Sequence, residues 1–448
     1  MTADTVAEAD GAKALRREQH GWYFYDFACS VYSTSVITVF LGPYLTSVAK
    51  NAADAEGFVH PLGVPVRAGS LFAYAVSVSI VVAVLVMPLV GAAADRSGRK
   101  KPLLAVSAYI GAGATTGMFF LDGERYLLGA LLLIVANTAM AVSMVLYNAY
   151  LPQIAAPDER DTVSSRGWAF GYVSGALMLV INLVLYSGHE TFGVSESVAV
   201  RICLASAGLW WGAFTLIPLR RLRDRRVAPR GEGAVGGGWR QLLATLRDMR
   251  RHPLTLSFLL AYLIYNDGIQ TVVSQAAVYG SEELGLEQTT LITAVLLVQI
   301  LAVAGALAMG RMAAVYGAKR VILGSLGVWT VILAAGYFLP AGAPVAFYLM
   351  AAAIGLVLGG SQALSRSLFS QLVPDGKEAE YFSAYEMSDR GLSWLGPLVF
   401  GLAFQVTGSY RDAIISLVVF FAIGSALLAR VPVKEAIAAA GNRVPDRI

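Results

Sequence analysis

Long apolar runs, separated by short polar or basic segments, recur along the whole chain. They cover residues 22–49, 69–93, 102–121, 126–151, 168–187, 198–219, 254–279, 290–313, 321–339, 345–369, 384–408 and 413–429. Each is close to the ~20 residues a helix needs to cross ~30 Å of hydrocarbon. Backbone N–H and C=O groups find no water in that layer, so helices, which bond them internally, are the expected form. A membrane barrel would alternate apolar and polar residues with period two, and these runs do not. The pattern predicts an all-α integral membrane protein of twelve spans.

Composition agrees. Of 448 residues, 56% are hydrophobic and 14% charged, against roughly 25% charged in soluble domains. The first twenty residues are polar, so no cleavable signal peptide is expected. Internal segments hold 27 of the 34 Lys and Arg if the N-terminus is cytoplasmic. Outer segments hold Lys50, Arg67, Arg125, Arg201 and Arg411, while Arg366 and Arg390 fall inside spans. The positive-inside bias puts both termini in the cytoplasm of a multi-pass cell-membrane protein. Two cysteines and four scattered histidines offer no disulfide framework and no metal cluster.

The longest internal connection splits the spans six and six. The expected organisation is a cytoplasmic segment (1–21), a six-helix bundle (22–219), a basic linker (220–253), a second bundle (254–430) and a cytoplasmic tail (431–448). In the linker, Trp239, Leu242, Leu243, Leu246 and Met249 share one helical face among arginines. That stretch predicts an amphipathic helix on the inner leaflet, so the basic run is assigned to lipid and not to nucleic acid.

The halves resemble each other. Gly91, Asp95, Gly98 and Lys100 recur as Gly310, Ala314, Gly317 and Lys319; Pro157-Asp158 recurs as Pro374-Asp375; Arg166-Gly167 recurs as Arg390-Gly391. The offsets, 219, 217 and 224, point to a duplicated six-helix unit. Six helices return the chain to the same side, so the repeats are parallel.

Residues 91–101, with Gly91, Asp95, Gly98 and Arg99, resemble the loop between helices 2 and 3 of the major facilitator superfamily. The resemblance implies its fold of two six-helix bundles. Asp95 and Arg99 are expected at the cytoplasmic gate, Asp95 facing the start of span 11.

A charge at the bilayer centre costs about 2.5–3.5 kcal/mol on insertion scales, so carboxylates inside spans are candidate functional groups. There are four: Asp26, Asp267, Glu386 and Asp389. Asp267 is the deepest, thirteen residues past Leu254, or about 20 Å along a helix. Gln270, Thr271, Ser274 and Gln275 follow it at helical spacing, as Ser30, Ser33 and Thr34 follow Asp26. Spans 1 and 7, the first of each repeat, thus carry an acid at one end of a polar stripe. These residues, with Gln362 on span 10, are the candidate substrate or proton site. A structural hydrogen-bonding role for the acids is the competing reading. Arg366, Glu386, Asp389 and Arg390 are candidates for a cytoplasmic ion-pair gate or a static clamp. Asn137 and Asn148 are further cavity candidates. Trp22, Tyr23 and Tyr25 are expected as an interfacial aromatic belt.

Three further motifs carry a closer resemblance. Trp22, Tyr25, Asp26, Ser30 and Tyr32 resemble the W-x-x-Y-D-x-A-N-S-x-Y opening of the vacuole effluxer family linked to autophagy in fungi, whose bacterial members form the unknown-major-facilitator group. Cys29 stands where that motif has Asn. Tyr265 to Thr271 and Gly359 to Ser367 resemble its helix 7 and helix 10 motifs. The resemblance implies export of a small solute such as an amino acid.

A secondary transporter working by alternating access is therefore expected, with a small-molecule substrate, the lipid bilayer and a coupling proton as partners. It is expected to act as a monomer without a cofactor. A broad-specificity efflux pump of the same fold and a non-transporting membrane sensor or scaffold are the alternatives. No phosphate loop, no G-x-S-x-G and no H-E-x-x-H is present, so no enzymatic activity is expected.

Overall fold

The computed structural model describes residues 3–225, 247, 250, 252–391 and 395–445. Among these, eleven helices are long and apolar enough to cross a membrane. They begin with α1 Lys13–Asn51, α2 Leu71–Ser97, α3 Lys100–Phe120, α4 Tyr126–Ile154, α5 Pro157–Ser187 and α6 Glu196–Arg221. Then follow α7 Pro253–Ala276, α8 Thr290–Tyr316, α9 Ala318–Tyr337 and α10 Pro344–Gln371. The expected span at 384–408 is described as α11a Glu378–Gly391 and α11b Leu395–Thr407. Only Leu395–Phe404 is apolar throughout, because α11a carries Glu378, Glu380, Glu386 and Asp389. The chain then forms α12 Tyr410–Arg430 and a short α13 Val433–Ala439. The amphipathic linker helix expected around Trp239 to Met249 lies outside the described residues. Exposed apolar side chains such as Val184, Leu209 and Val331 are the lipid-facing surface such helices require.

The helices group into two compact units, Met1–Tyr147 with Val173–Arg230, and Asn148–Tyr172 with Gly231–Ile448. In the first, small residues bring backbones together. A Cβ on Gly208 would collide with the Thr116 amide on α3, one on Gly111 with the Trp211 ring, and one on Gly175 with Thr34. α1 contains a π-helical stretch, Tyr32–Phe40, a distortion frequent at functional positions. The expected interfacial belt is not one. Trp22, Tyr23 and Tyr25 are buried, because Trp22 stacks on Tyr147 with centroids 4.4 Å apart and Tyr25 lies 5.2 Å from the same ring.

Between α1 and α2 a small hairpin, β1 Phe58–Val59 against β2 Val66–Arg67, is organised by Asp54. Its Oδ1 accepts the N–H groups of Phe58 (2.9 Å) and Glu56 (3.0 Å), and its Oδ2 lies 3.0 Å from His60 Nε2. The Phe58 amide, then His60, hold the Asp54 carboxyl below its usual pKa.

The second unit is tied together along α8 and α10. Cβ atoms on Gly305 or Gly359 would collide with the carbonyls of Leu356 and Ala302, and one on Gly355 would come within 2.7 Å of Val298 O. This is the close small-residue packing that drives helix association in lipid. α7 meets α12 in the same manner, with Gly268 against Phe420 and Gly424 against Tyr265.

Two predictions follow from this packing. Gly359→Leu must separate α8 from α10 and should destabilise the protein by about 1–3 kcal/mol, measured by thermal unfolding in detergent. Gly324→Ala, with open space around it, is the neutral control. For the hairpin, a depressed folded pKa means a contribution present above the unfolded value and lost as pH falls through the folded one. Protection of the Phe58 amide from exchange should hold at neutral pH, fall below about pH 4, and be absent at every pH in Asp54→Ala.

Candidate functional site

The two acids of the leading helices have unlike surroundings. Asp26 is buried in the first unit, where its Oδ2 accepts the Tyr147 hydroxyl at 2.7 Å. Tyr147 is held in turn by Trp22, which stacks on the ring and donates its indole N–H to the Tyr147 carbonyl at 2.8 Å. Asp26 therefore sits in an aromatic enclosure fixed by a buried hydroxyl. Further along its stripe, Ser30 is half-buried and Ser33 exposed. Thr34 is buried and donates to the Ser30 carbonyl at 3.1 Å.

Asp267, in the second unit, is 3% exposed. Its Oδ2 accepts the backbone N–H of Gly396 on α11b at 2.7 Å, while its Oδ1 is buried without a partner among the described residues. Gly396 is required there, because a Cβ would collide with Thr271 Oγ1. Thr271 donates to the Asp267 carbonyl (2.7 Å) and Ser274 to the Thr271 carbonyl (3.1 Å). Both hydroxyls satisfy their own helix. Gln270 is half-buried and Ser274 exposed.

Gln362 is buried and reaches a residue the sequence reading passed over. Its Nε2 donates to Asn266 Oδ1 at 2.6 Å, and Asn266 Nδ2 donates to Asp389 Oδ1 at 2.5 Å. Tyr262 OH donates to the same oxygen at 3.2 Å. Asn266 and Tyr262 thus link α7 to α10 and α11a. The available signal was an Asn adjacent to the deepest acid of the chain.

A second cluster surrounds Arg366, which is 1% exposed. Its Nε donates to Ser164 Oγ (2.9 Å), its Nη2 to the Ser164 carbonyl (2.9 Å) and its Nη1 to Asn148 Oδ1 (3.4 Å). The guanidinium carbon lies 5.3 Å from the Trp168 ring centroid, in range for a cation–π contact. Asn148 Nδ2 donates to Glu386 Oε1 at 2.9 Å, so this amide bridges Arg366 and Glu386. Next to it, Ser367 Oγ donates to Asp161 Oδ1 at 2.5 Å. Arg160 Nη1 donates to the Ser370 carbonyl (2.8 Å) and to Gln371 Oε1 (3.1 Å). Asn148, Arg160, Asp161 and Ser164 all belong to segment 148–172, which clusters in the second unit. Of the other gate candidates, Asp95 forms an ion pair with Lys100 of its own loop (3.2 Å), and Arg99 is exposed. Arg390 lies on α11a, with its side chain outside the described set. Asn137 donates to Ser79 Oγ at 2.6 Å.

Arg366→Lys tests the second cluster. Lysine replaces a planar fork and its ring contact with a point charge, leaving Ser164 and Asn148 acceptors poorly matched. Unfolding in detergent should show a loss of about 1–3 kcal/mol.

Comparison with known proteins fits this picture. Residues 14–441 match the family described as Vacuole effluxer Atg22 like. The chain is 28% identical over 423 residues to the uncharacterized MFS-type transporter YxiO of Bacillus subtilis, covering 94% of this chain and 96% of that protein. It is 26% identical to autophagy-related protein 22 of Pyricularia oryzae, covering 95% of this chain and 77% of that protein. Among solved structures it is similar to the major facilitator proton:xylose symporter XylE, with a TM-score of 0.70 at 13% identity, covering 94% and 96% of the two chains. A bacterial homologue of the iron transporter ferroportin aligns with a TM-score of 0.67 at 14% identity, covering 93% and 98%. The chain has the major facilitator fold and belongs to the vacuole effluxer Atg22-like family of multi-pass membrane proteins.

Proposed function

We propose that this protein is a secondary active transporter that exports a small solute, an amino acid or a related metabolite, across the cytoplasmic membrane, with both termini inside. In this reading the bundles 22–219 and 254–430 alternate access to a site on the stripes of α1 and α7, with Gln362 beside it. The single observation that carries the reading is Asp267. A carboxylate buried in an apolar helix with one oxygen unpartnered among the described residues is costly unless it serves to receive a positive group. A proton and the ammonium of an amino acid are the two that match an export cycle. Asp26 is the counterpart in the first repeat, with its open valence taken by Tyr147. The effluxer description of the matched family supports the direction of transport. The Arg366 cluster is assigned to the inner gate, because segment 148–172 must leave α10 and α11a for the inner side to open.

The test is transport in proteoliposomes under an imposed proton gradient, scored with a mixture of radiolabelled amino acids. The wild type should accumulate label in response to the gradient. Asp267→Asn, similar in size and still able to accept the Gly396 N–H, should lose gradient-driven accumulation while unfolding at the same temperature. Wild-type rates in that variant would remove Asp267 from the mechanism.

A further inference from the structure

Residues 431–448, expected as a cytoplasmic tail, begin with a stretch that packs against the helices. On α13, Val433, Ala436 and Ile437 are buried. Asn442 Nδ2 donates to the carbonyls of Gln371 (2.8 Å) and Val373 (2.7 Å), the open end of α10. Such terminal carbonyls lack partners within their helix, so Asn442 acts as a cap supplied from seventy residues away. At the base of the tail, Lys319 Nζ donates to the carbonyls of Ala429 (2.9 Å) and Val431 (2.8 Å), capping α12.

Gln371 carries this contact onward. Its backbone carbonyl takes Asn442, its Nε2 donates to the Pro157 carbonyl (2.7 Å) and its Oε1 accepts Arg160 (3.1 Å). One residue therefore joins the tail, through its carbonyl, to the start of α5, through its side chain. Arg443 adds an exposed ion pair with Asp158 at 3.7 Å, a contact of little energetic weight. Beneath the tail is a cavity of about 310 Å³ whose walls include Asp158, Asp161, Leu368, Ile437 and Pro445. The tail is thus attached by the short apolar face of α13 and, beyond it, by a few directional bonds beside a cavity. Close-packed surfaces resist separation through dispersion contacts; the part beyond α13 is held by hydrogen bonds that can be exchanged for water.

We propose that residues 433–445 form a strap that holds segment 148–172 against the end of α10, with Gln371 as its positioning residue, and that the strap must release each time the inner side opens. The proposal rests on the alternating-access reading for its role, but not for its test. Spin labels are placed on exposed positions flanking the cavity, at Glu159→Cys and Tyr316→Cys, with Cys29 and Cys203 replaced by serine, in the full chain in nanodiscs. Pulsed electron–electron resonance should give a single short distance. Asn442→Ala should shift the population toward a longer distance by about tenfold, the effect of losing two hydrogen bonds, and a chain ending at Pro432 should shift it further. Identical distributions in the parent and in Asn442→Ala overturn the strap, and Asn442→Ala alone decides if the shortened chain does not fold. A shifted population with normal transport by Asp267→Asn would leave the strap standing and remove Asp267 from the mechanism. The converse pair of results would do the opposite.

Discussion

Hydrocarbon offers no partner to a polar group, and that constraint orders the rest of this structure. Backbone amides are satisfied by helix formation. Side chains cannot be satisfied that way, so buried polar groups bond back to their own helix or find a partner on another. Thr34 and Thr271 take the first route. Arg366 takes the second, giving Ser164, Asn148 and the Trp168 face a shared centre. The polar clusters are therefore small, directional and confined to particular helix crossings, where glycines let the backbones approach.

The two leading acids differ in this respect. Asp26 accepts a tyrosine hydroxyl, whereas Asp267 has one bonded oxygen and one without a partner among the described residues. The bonded oxygen takes a backbone amide next to Pro397, which has no N–H of its own to contribute to the helix. The carboxylate thus caps one of the N–H groups left free in the first turn of α11b. Neighbouring Asn266 faces a different way, toward Gln362 and Asp389. Two consecutive residues of α7 consequently engage α11b on one side and α10 with α11a on the other. The Asp267 carboxylate thus bears directly on the contact between α7 and α11b.

The repeats are alike in plan and unlike in detail. Lys100 pairs with Asp95 in the first; the equivalent Lys319 faces Ala314 in sequence and instead caps α12. With Ala314 where the first copy has its acid, Lys319 bonds the last carbonyls of α12 instead. The end of α4 and the start of α5 contribute Asn148, Arg160, Asp161 and Ser164 to the second unit, a role with no counterpart in the linear pattern.

The sequence by itself determined the membrane class, the number and order of apolar runs, the duplication, the family and the identity of the costly intramembrane charges. All of these follow from local composition and spacing, which the bilayer thickness converts into helices. It also singled out Asp26, Asp267, Gln362, Arg366, Glu386 and Asp389 as polar groups needing an explanation. Only the tertiary structure decided their partners. Tyr147 for Asp26, Gly396 for Asp267, Asn266 for Gln362 and Asn148 between Arg366 and Glu386 are separated by 96 to 238 residues where the bonds join them. The same holds for the buried Trp22 and Tyr25, whose position along α1 suits an interface but whose neighbours enclose them, and for Asn442, whose two carbonyl partners exist only once α10 has ended beside it. Periodicity reports which face of a helix is polar; which neighbour meets that face depends on how the helices cross, and the chain pattern does not encode that locally.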